Sequence, residues 1–187
     1  MSDAFSAPLR DLASTAQRVA DELGPALERA LDMVRETVRG GGTLFFCGNG
    51  GSAADAQHLA TEYVVRYMRE RRAYPAIALT TDTSLLTAAS NDLGFDEVFA
   101  RQIDALAKNG DLLIIHTTSG NSPNLIRAAE AARAKGISVL ALSARGGGKL
   151  ATLATHTVVV PTDRTDRAQE LQLCIQHVIC DLVERDL

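Results

Sequence analysis

The sequence predicts an α/β fold, a three-layer sandwich in which helices cover both faces of a five-stranded parallel sheet. Five short apolar runs of strand length recur along the chain. Helical patterns separate these runs, as in right-handed βαβ units. Together the two observations favour the flavodoxin-like strand order 2-1-3-4-5, in which ligands bind beyond the carboxyl ends of the strands where the order reverses.

The chain opens with a helical pattern over residues 11–39, in which apolar residues recur at spacings of three and four. Gly24-Pro25 divides this pattern into two helices, because proline fits the first turn of a helix. The glycines at 40–42 end the second helix. No linker follows, so we expect a single domain over residues 1–187, with the helices of residues 1–40 packed on it.

The later elements alternate in type along the chain. The predicted strands are residues 43–47, 76–80, 111–117, 137–142 and 157–161. The predicted helices are residues 52–70, 84–90, 96–108, the segment that follows residue 122 through 135, and 165–187. Strands that helices bury on both faces are continuously apolar rather than alternating in polarity. The five predicted strands are continuously apolar in this way.

Composition excludes several classes of protein. The 187 residues carry a formal net charge of -4 and 4% aromatic residues, which disfavours nucleic acid as a partner. No apolar run approaches the 18 or so residues of a membrane span, and the N-terminus lacks the apolar core of a secretory signal. The three cysteines have neither CxxC spacing nor an even count. The sequence therefore predicts a cytoplasmic protein with reduced thiols.

Two loops lie where the predicted strand order reverses, at 48–52 (GNGGS) and 117–122 (TTSGNS). Each leads into a helix N-terminus, where free backbone N–H groups and the helix dipole favour an anion. Neither loop contains Lys or Arg, and neither matches a P-loop or completes a GxGxxG motif. Simple helix capping is the alternative for either loop alone. The two loops together favour a site for a phosphate monoester.

Candidate metal and proton-transfer residues lie on two predicted helices. His58 and Glu62 are four residues apart and share one helix face, whereas Gln169 and His177 lie about 12 Å apart along the last helix. Two imidazoles, a carboxylate and an amide oxygen suit Zn²⁺, and Glu and His also carry protons. A surface His–Glu pair and a structural His177 remain the alternatives. Two further histidines are interpreted as structural: His116 and His156.

These motifs resemble those of the sugar isomerase (SIS) family, and within it the phosphoheptose isomerases. The resemblance runs in order from about residue 42 to residue 187, and the leading helices fit it too. Its motifs are GNGGSAADAQH at 48–58 with Glu62 and Arg66, PAIAL at 75–79, Asn91-Asp92, TSGNS at 118–122, and Gln169-Glu170 with His177. Together they are specific, although GNGGS alone marks only the wider family.

The resemblance implies the SIS fold and an aldose–ketose isomerisation of sedoheptulose 7-phosphate to D-glycero-D-manno-heptose 7-phosphate through an enediol. This reaction is the first step of ADP- or GDP-heptose biosynthesis, which supplies lipopolysaccharide or other glycans. The implied catalytic pair is Glu62 and His177. The implied ligands of one Zn²⁺ per subunit are His58, Glu62, Gln169 and His177. The implied substrate contacts are Asn49, Gly50, Gly51, Ser52, Glu62, Arg66, Asn91, Asp92, Thr117, Thr118, Ser119, Ser122 and Gln169.

The resemblance also implies a homotetramer with active sites between subunits. One position departs from the family pattern, because Thr117 replaces the usual serine and adds a methyl group beside the phosphate. Two non-catalytic alternatives share the fold: a protein-interaction module, and a regulator that binds a sugar phosphate. The interaction module lacks the glutamate at 62 and the histidine at 177, and a regulator needs only the two loops, so both alternatives leave the Glu62–His177 pair unexplained.

Overall fold

A five-stranded parallel sheet in the order β2-β1-β3-β4-β5 forms the centre of the molecule, which confirms the predicted order 2-1-3-4-5. The structure is a computed structural model that describes residues 3–187, so residues 1 and 2 of the expected domain lie outside the described part. The strands are β1 Leu44–Cys47, β2 Ala76–Ala78, β3 Leu112–His116, β4 Ser138–Ser143 and β5 His156–Val159. Their ends lie within two residues of the predicted ends.

Eight α-helices surround the sheet within residues 3–187. They are α1 Ser6–Glu22, α2 Gly24–Arg39, α3 Gly51–Val64, α4 Thr83–Asp92, α5 Ala100–Leu106, α6 Pro123–Ala134, α7 Leu150–Leu153 and α8 Thr165–Asp186. The division between α1 and α2 falls at Leu23, next to Pro25 in the first turn of α2. Pro25 therefore separates the two helices as the sequence predicts.

The alternation of side chains along the strands produces two cores. Phe46 and Ile114 point to one face of the sheet, where they pack with α1, α2, α3 and α8. Phe45 and Leu113 point to the other face, where they pack with α4, α5, α6 and α7. Because successive residues of a strand face opposite sides, continuous apolar runs fill both cores, and the predicted three-layer sandwich is confirmed.

Helix α3 ends at Val64, so the prediction of a helix over 52–70 is wrong for its last six residues. The backbone N–H groups of residues 67–69 do not continue the helical ladder. They donate instead to the carboxylate of Glu184 on α8, at 2.7–2.9 Å. A tertiary contact thus competes with the helix for its donors and turns the chain away towards β2.

The predicted helix over 96–108 is also divided. A 3₁₀ turn at Phe95–Glu97 precedes α5. There the N–H of Val98 donates to the carbonyl of Phe95, a tight i→i+3 bond. This turn lets Val98 and Phe99 both reach the core, where they are buried. Helix α7 was not predicted, because four residues are too few to show a helical period.

The N-terminal helices share the core of the sheet. Val34 of α2 and Val183 of α8 are both fully buried in the cluster that covers β1 and β3.

Of the cysteines, Cys47 and Cys180 are buried and Cys174 is exposed, and all three are free thiols. Across residues 3–187, none of the helices has the length and the apolar character that a membrane crossing requires.

Candidate active site

The two glycine-rich loops follow β1 and β3, which are neighbours in the sheet. Gly50 immediately precedes α3 and has φ +57°, a backbone conformation that residues other than glycine rarely adopt. Its neighbour Gly51 lies directly beneath the side chain of Gln169, because a Cβ at Gly51 would be 2.8 Å from Gln169 Nε2. The sequence of the first loop therefore serves both a tight turn and a close approach of α8.

A pair of amides holds the two loops together. Asn49 Nδ2 donates to Asn124 Oδ1 at 2.9 Å, and Asn124 Nδ2 donates back to Asn49 Oδ1 at 2.8 Å. Asn49 belongs to the first loop, and buried Asn124 lies in the first turn of α6, just after the second. This contact supports the expectation that both loops form one site. The sequence motifs did not single out Asn124.

The hydroxyl groups of the loops differ in exposure. Ser52 and Thr117 are buried, and Thr117 Oγ1 accepts a hydrogen bond from the N–H of Gly120 at 3.1 Å. The Thr117 hydroxyl thus shapes the second loop. Thr118, Ser119 and Ser122 are half-buried. Ser119 Oγ accepts the N–H of Asn121 at 3.2 Å, whereas within residues 3–187 the hydroxyls of Thr118 and Ser122 have no hydrogen-bond partner, so these two are available to a ligand.

His58, Glu62 and His177 converge at one point, with one ligand atom from each within 4.8 Å of the others. His58 Nε2 lies 2.8 Å from His177 Nε2 and 3.4 Å from Glu62 Oε1. His58 is half exposed, whereas the Glu62 side chain is largely buried. The ring of Tyr67 stacks on the ring of His177, with centroids 5.2 Å apart and an angle of 18° between the planes.

This donor set fits a divalent ion. Zinc bonds to nitrogen and oxygen of about 2.0–2.1 Å in tetrahedral geometry place neighbouring ligand atoms about 3.3 Å apart. The observed separations of 2.8 and 3.4 Å bracket that value. Two imidazole nitrogens and one carboxylate oxygen supply three ligands of a tetrahedral set, so one further ligand would complete it.

The surroundings of His177 favour its neutral form. Burial lowers the pKa of His177 below the ordinary histidine value, nearby His58 lowers it further, and Glu62 opposes the change. A neutral imidazole can bind a metal ion or accept a proton. Burial also raises the pKa of Asp55, one turn before His58, while His58 opposes that shift.

Three further candidate residues have polar partners outside this cluster. Arg66 pairs with Glu70 at 3.4 Å on the exposed segment after α3. Asn91 donates to Asp92 at 2.7 Å at the exposed end of α4. Asp92 lines a cavity of about 610 Å³ between α4 and α5, whose walls include no residue of the two loops. Within residues 3–187, these three side chains therefore form no hydrogen bond or ion pair with the loops or with the His–Glu–His cluster.

Gln169 stands between the two groups of residues. Its side chain covers Gly51 of the first loop, and it lies two turns before His177 on α8.

Of the two histidines interpreted as structural, His156 Nε2 contacts the carbonyl of Ala26 at 2.8 Å, and His116 is fully buried. No pattern in the sequence indicates that Tyr67 belongs to the site, because its stacking on His177 depends on how the chain turns after α3.

Comparison with known proteins bears directly on this site. A family profile described as "SIS domain" matches residues 9–144. A phosphoheptose isomerase from Geobacter sp. strain M21 is 48% identical over 187 residues, which cover 100% of this chain and 97% of that protein. A phosphoheptose isomerase structure from Neisseria gonorrhoeae superposes with a TM-score of 0.92 at 39% identity, over 98% of each chain.

A phosphoheptose isomerase structure from Francisella tularensis superposes with a TM-score of 0.94 at 32% identity, over 100% of both chains. These likenesses extend over the whole chain and thus include both loops, α3 and α8. They agree with the resemblance that the motifs indicate, and they favour an isomerase over the two non-catalytic alternatives. The chain belongs to the SIS domain family and, within it, to the phosphoheptose isomerases.

Proposed function

We propose that this chain converts sedoheptulose 7-phosphate to D-glycero-D-manno-heptose 7-phosphate, with Glu62 and His177 as its proton-transfer pair. The observation that carries the proposal is that Glu62, His58 and His177 meet at one point. The two histidines lie on different helices and are 119 residues apart in the chain. A sugar-phosphate sensor would need the loops and would have no use for this cluster. The cluster therefore favours an enzyme that transfers a proton over a protein that only binds the sugar phosphate.

The two loops are suited to the phosphate end of the substrate. The N-termini of α3 and α6 direct backbone N–H groups and positive dipole ends towards it, and the candidate hydroxyls are those of Ser52, Thr118, Ser119 and Ser122. The loops carry no cationic side chain, which suits one phosphate monoester rather than a polyphosphate. Asn49, Gly50, Gly51 and Thr117 complete the proposed contacts around it.

Isomerisation moves a carbonyl group from C2 to C1 of the sugar. The Glu62 carboxylate removes the proton from C1, which gives an enediol, and then returns a proton to C2. Neutral His177 accepts the proton of the C1 hydroxyl and delivers it to the C2 oxygen, so that the proton count balances. The lowered pKa of His177 supports this resting state.

The proposed metal ligands are His58, Glu62 and His177, with Gln169 as the fourth, for one zinc ion in each subunit. When bound, the metal ion supplies stabilisation of the negative charge that develops on the sugar oxygens. Glu62 and His177 each serve as ligand and proton carrier in this scheme. A tightly bound carboxylate is a weaker base, and an imidazole nitrogen that is bound to a metal ion has no lone pair to accept a proton. We therefore expect the coordination of both residues to be weak in the resting enzyme.

The active form is proposed to be a homotetramer with sites completed between subunits. Within residues 3–187 of one chain, Arg66, Asn91 and Asp92 form no hydrogen bond or ion pair with the cluster. A neighbouring copy is the simplest source of these side chains for the same site. The N-terminal helices and α8 carry apolar surface suited to the contact: an apolar groove lies between α1, α2 and α8.

The decisive experiment follows the product by NMR. Purified protein with Zn²⁺ is expected to convert sedoheptulose 7-phosphate to the aldose in D₂O, with deuterium incorporated at C2. A chelator should lower the rate, and added Zn²⁺ should restore it. A protein that binds the sugar phosphate without exchange or conversion would be a sensor, and the proposal would fail.

The Glu62→Gln variant tests the proposed base. The amide cannot accept the C1 proton, so we expect kcat to fall by about 10³-fold or more. Deuterium exchange at C1 should disappear to the same extent. Because the substitution keeps the shape of the side chain, circular dichroism serves as the control for folding. Turnover at the wild-type rate would exclude Glu62 as the base.

A further inference from the structure

A buried ion pair joins the segment after α3 to the last helix. Arg71 Nη2 lies 3.0 Å from Glu184 Oε1, and the two side chains are 7% and 0% exposed. Neither residue belongs to the motifs that identify the site. Removing two charges from water is costly, so a buried ion pair is weak evidence of a contribution to stability. Its hydrogen-bond partners indicate what it does.

Arg71 binds the end of the helix that carries Glu62. Its Nη2 donates to the backbone carbonyl of Glu62 at 2.6 Å, and its Nη1 donates to the carbonyl of Tyr63 at 2.8 Å. These carbonyls lie in the last turn of α3, where a helix leaves its carbonyl groups without intrahelical partners. The guanidinium also lies over the ring of Tyr74, 4.2 Å from its centroid. Arg71 therefore fixes the turn from which the Glu62 side chain projects.

Glu184 binds the segment that carries Tyr67. Its carboxylate accepts the N–H groups of Tyr67 at 2.7 Å, Met68 at 2.8 Å and Arg69 at 2.9 Å. Tyr67 in turn stacks on His177. Since Glu184 and His177 lie on the same helix, the carboxylate sets the position of the Tyr67 ring relative to the imidazole.

We propose that Arg71 and Glu184 are positioning residues for the reaction. Arg71 holds the backbone of Glu62, Glu184 holds the Tyr67 ring against His177, and the ion pair couples the two. This inference rests on the proposed roles of Glu62 and His177. Small displacements of an acid–base pair cost much of its rate, so the pair acts on kcat through geometry, without contact with substrate.

Three variants and one matched control test the proposal. Glu184→Gln weakens three backbone contacts, and Arg71→Met removes the contacts to α3. Arg71→Lys keeps the charge but replaces the two donor nitrogens of the guanidinium by one ammonium nitrogen. Arg72→Met is the control, because Arg72 lies over the same Tyr74 ring at 5.2 Å. In residues 3–187 the Arg72 side chain has no hydrogen bond to α3, so its replacement should leave both helix and turnover unchanged.

Hydrogen exchange provides a readout independent of activity. In Glu184→Gln, exchange of the amides of residues 67–69 is expected to accelerate by about tenfold or more, while amides of β3 and β4 stay protected. In the same variant kcat should fall by about 10- to 100-fold with KM within about threefold of wild type. Arg71→Lys should retain more of kcat than Arg71→Met. If Arg71→Met does not fold, Glu184→Gln and Arg71→Lys carry the test.

Two results would overturn the inference. One is faster exchange at residues 67–69 with kcat unchanged, which would make the ion pair structural only. The other is unchanged exchange in Glu184→Gln. A failure of the proposed function itself is seen separately, because the wild-type protein would then show no turnover while its exchange pattern stayed intact.

Discussion

His116 occupies the last position of β3, immediately before the second loop, and it is fully buried. Its ring is parallel to that of Phe46, with centroids 6.3 Å apart. Within residues 3–187 neither ring nitrogen has a hydrogen-bond partner. Burial lowers the pKa of His116 to about 4, so the native protein holds this imidazole neutral.

This histidine makes stability depend on pH. As the pH falls from 6.5 towards 4, the imidazole takes up a proton in the unfolded chain before it does so in the native protein. Stability therefore declines as the pH falls through this window and is unaffected by His116 above it. A shift from 6.5 to about 4 corresponds to about 3 kcal/mol. Urea unfolding at pH 7 and pH 4 measures the loss.

The His116→Leu variant isolates this contribution. Its loss of unfolding free energy between pH 7 and pH 4 should be smaller than that of the wild-type protein by about 3 kcal/mol. The comparison uses the change with pH, so a different stability at neutral pH does not affect it. Parallel pH curves for the two proteins would show that the native protein protonates His116 as readily as the unfolded chain does.

At the scale of elements, the second loop is packed against the turn that follows β4. Gly120 has φ +64°, and a Cβ there would lie 1.9 Å from the carbonyl oxygen of Gly147. The side chain of Asn121 accepts the N–H of Lys149 at 3.0 Å, which fixes the same contact. The loop is thus held from one side by this turn and from the other by the Asn49–Asn124 pair.

Alanine at Gly120 should disturb this packing. Gly136 is a matched control, because it has φ +70° and a Cβ added there would meet nothing within 4 Å. We expect Gly136→Ala to cost about 1 kcal/mol of unfolding free energy from backbone strain alone. Gly120→Ala should cost about 2 kcal/mol more and should raise KM for the sugar phosphate. Equal losses in urea unfolding would mean that the second loop is not tightly packed against the turn.

The end of α3 shows how one element depends on another. The sequence pattern favours a helix to residue 70, because apolar and helix-forming residues continue past Val64. Glu184, more than 110 residues away, takes the donors that this helix would need. Such a competition leaves no trace in local periodicity, so sequence reasoning placed Arg66 on α3, whereas it lies just beyond its end.

At the scale of the whole molecule, the proposed assembly predicts that subunits complement each other. Light scattering should give a mass of about 80 kDa, four times the 19.9 kDa of one chain. If Asp92 of one subunit serves the His177 of another, the Asp92→Ala and His177→Ala variants should each be nearly inactive. Tetramers reassembled from an equal mixture should regain about one quarter of wild-type activity, because one site in four contains both intact residues.

The control for this experiment is the same mixture without dissociation and reassembly, which should stay inactive. If Asp92 and His177 of a site both come from one subunit, mixing would restore no activity, because each variant chain lacks one of the two residues of its own site. That result, with a tetrameric mass, would retain the assembly and contradict the shared site.

The sequence alone determined the fold class, the strand order and the two loops, because hydrophobic periodicity and glycine-rich turns are local properties of the chain. The four-residue spacing of His58 and Glu62 also placed both on one helix face. The tertiary structure decided that His177 joins them, since nothing in local spacing records how α8 docks on α3. It also decided the roles of Asn124, Tyr67, Arg71 and Glu184. Their contacts join positions far apart in the chain, and only the packing of helices against the sheet brings such positions together.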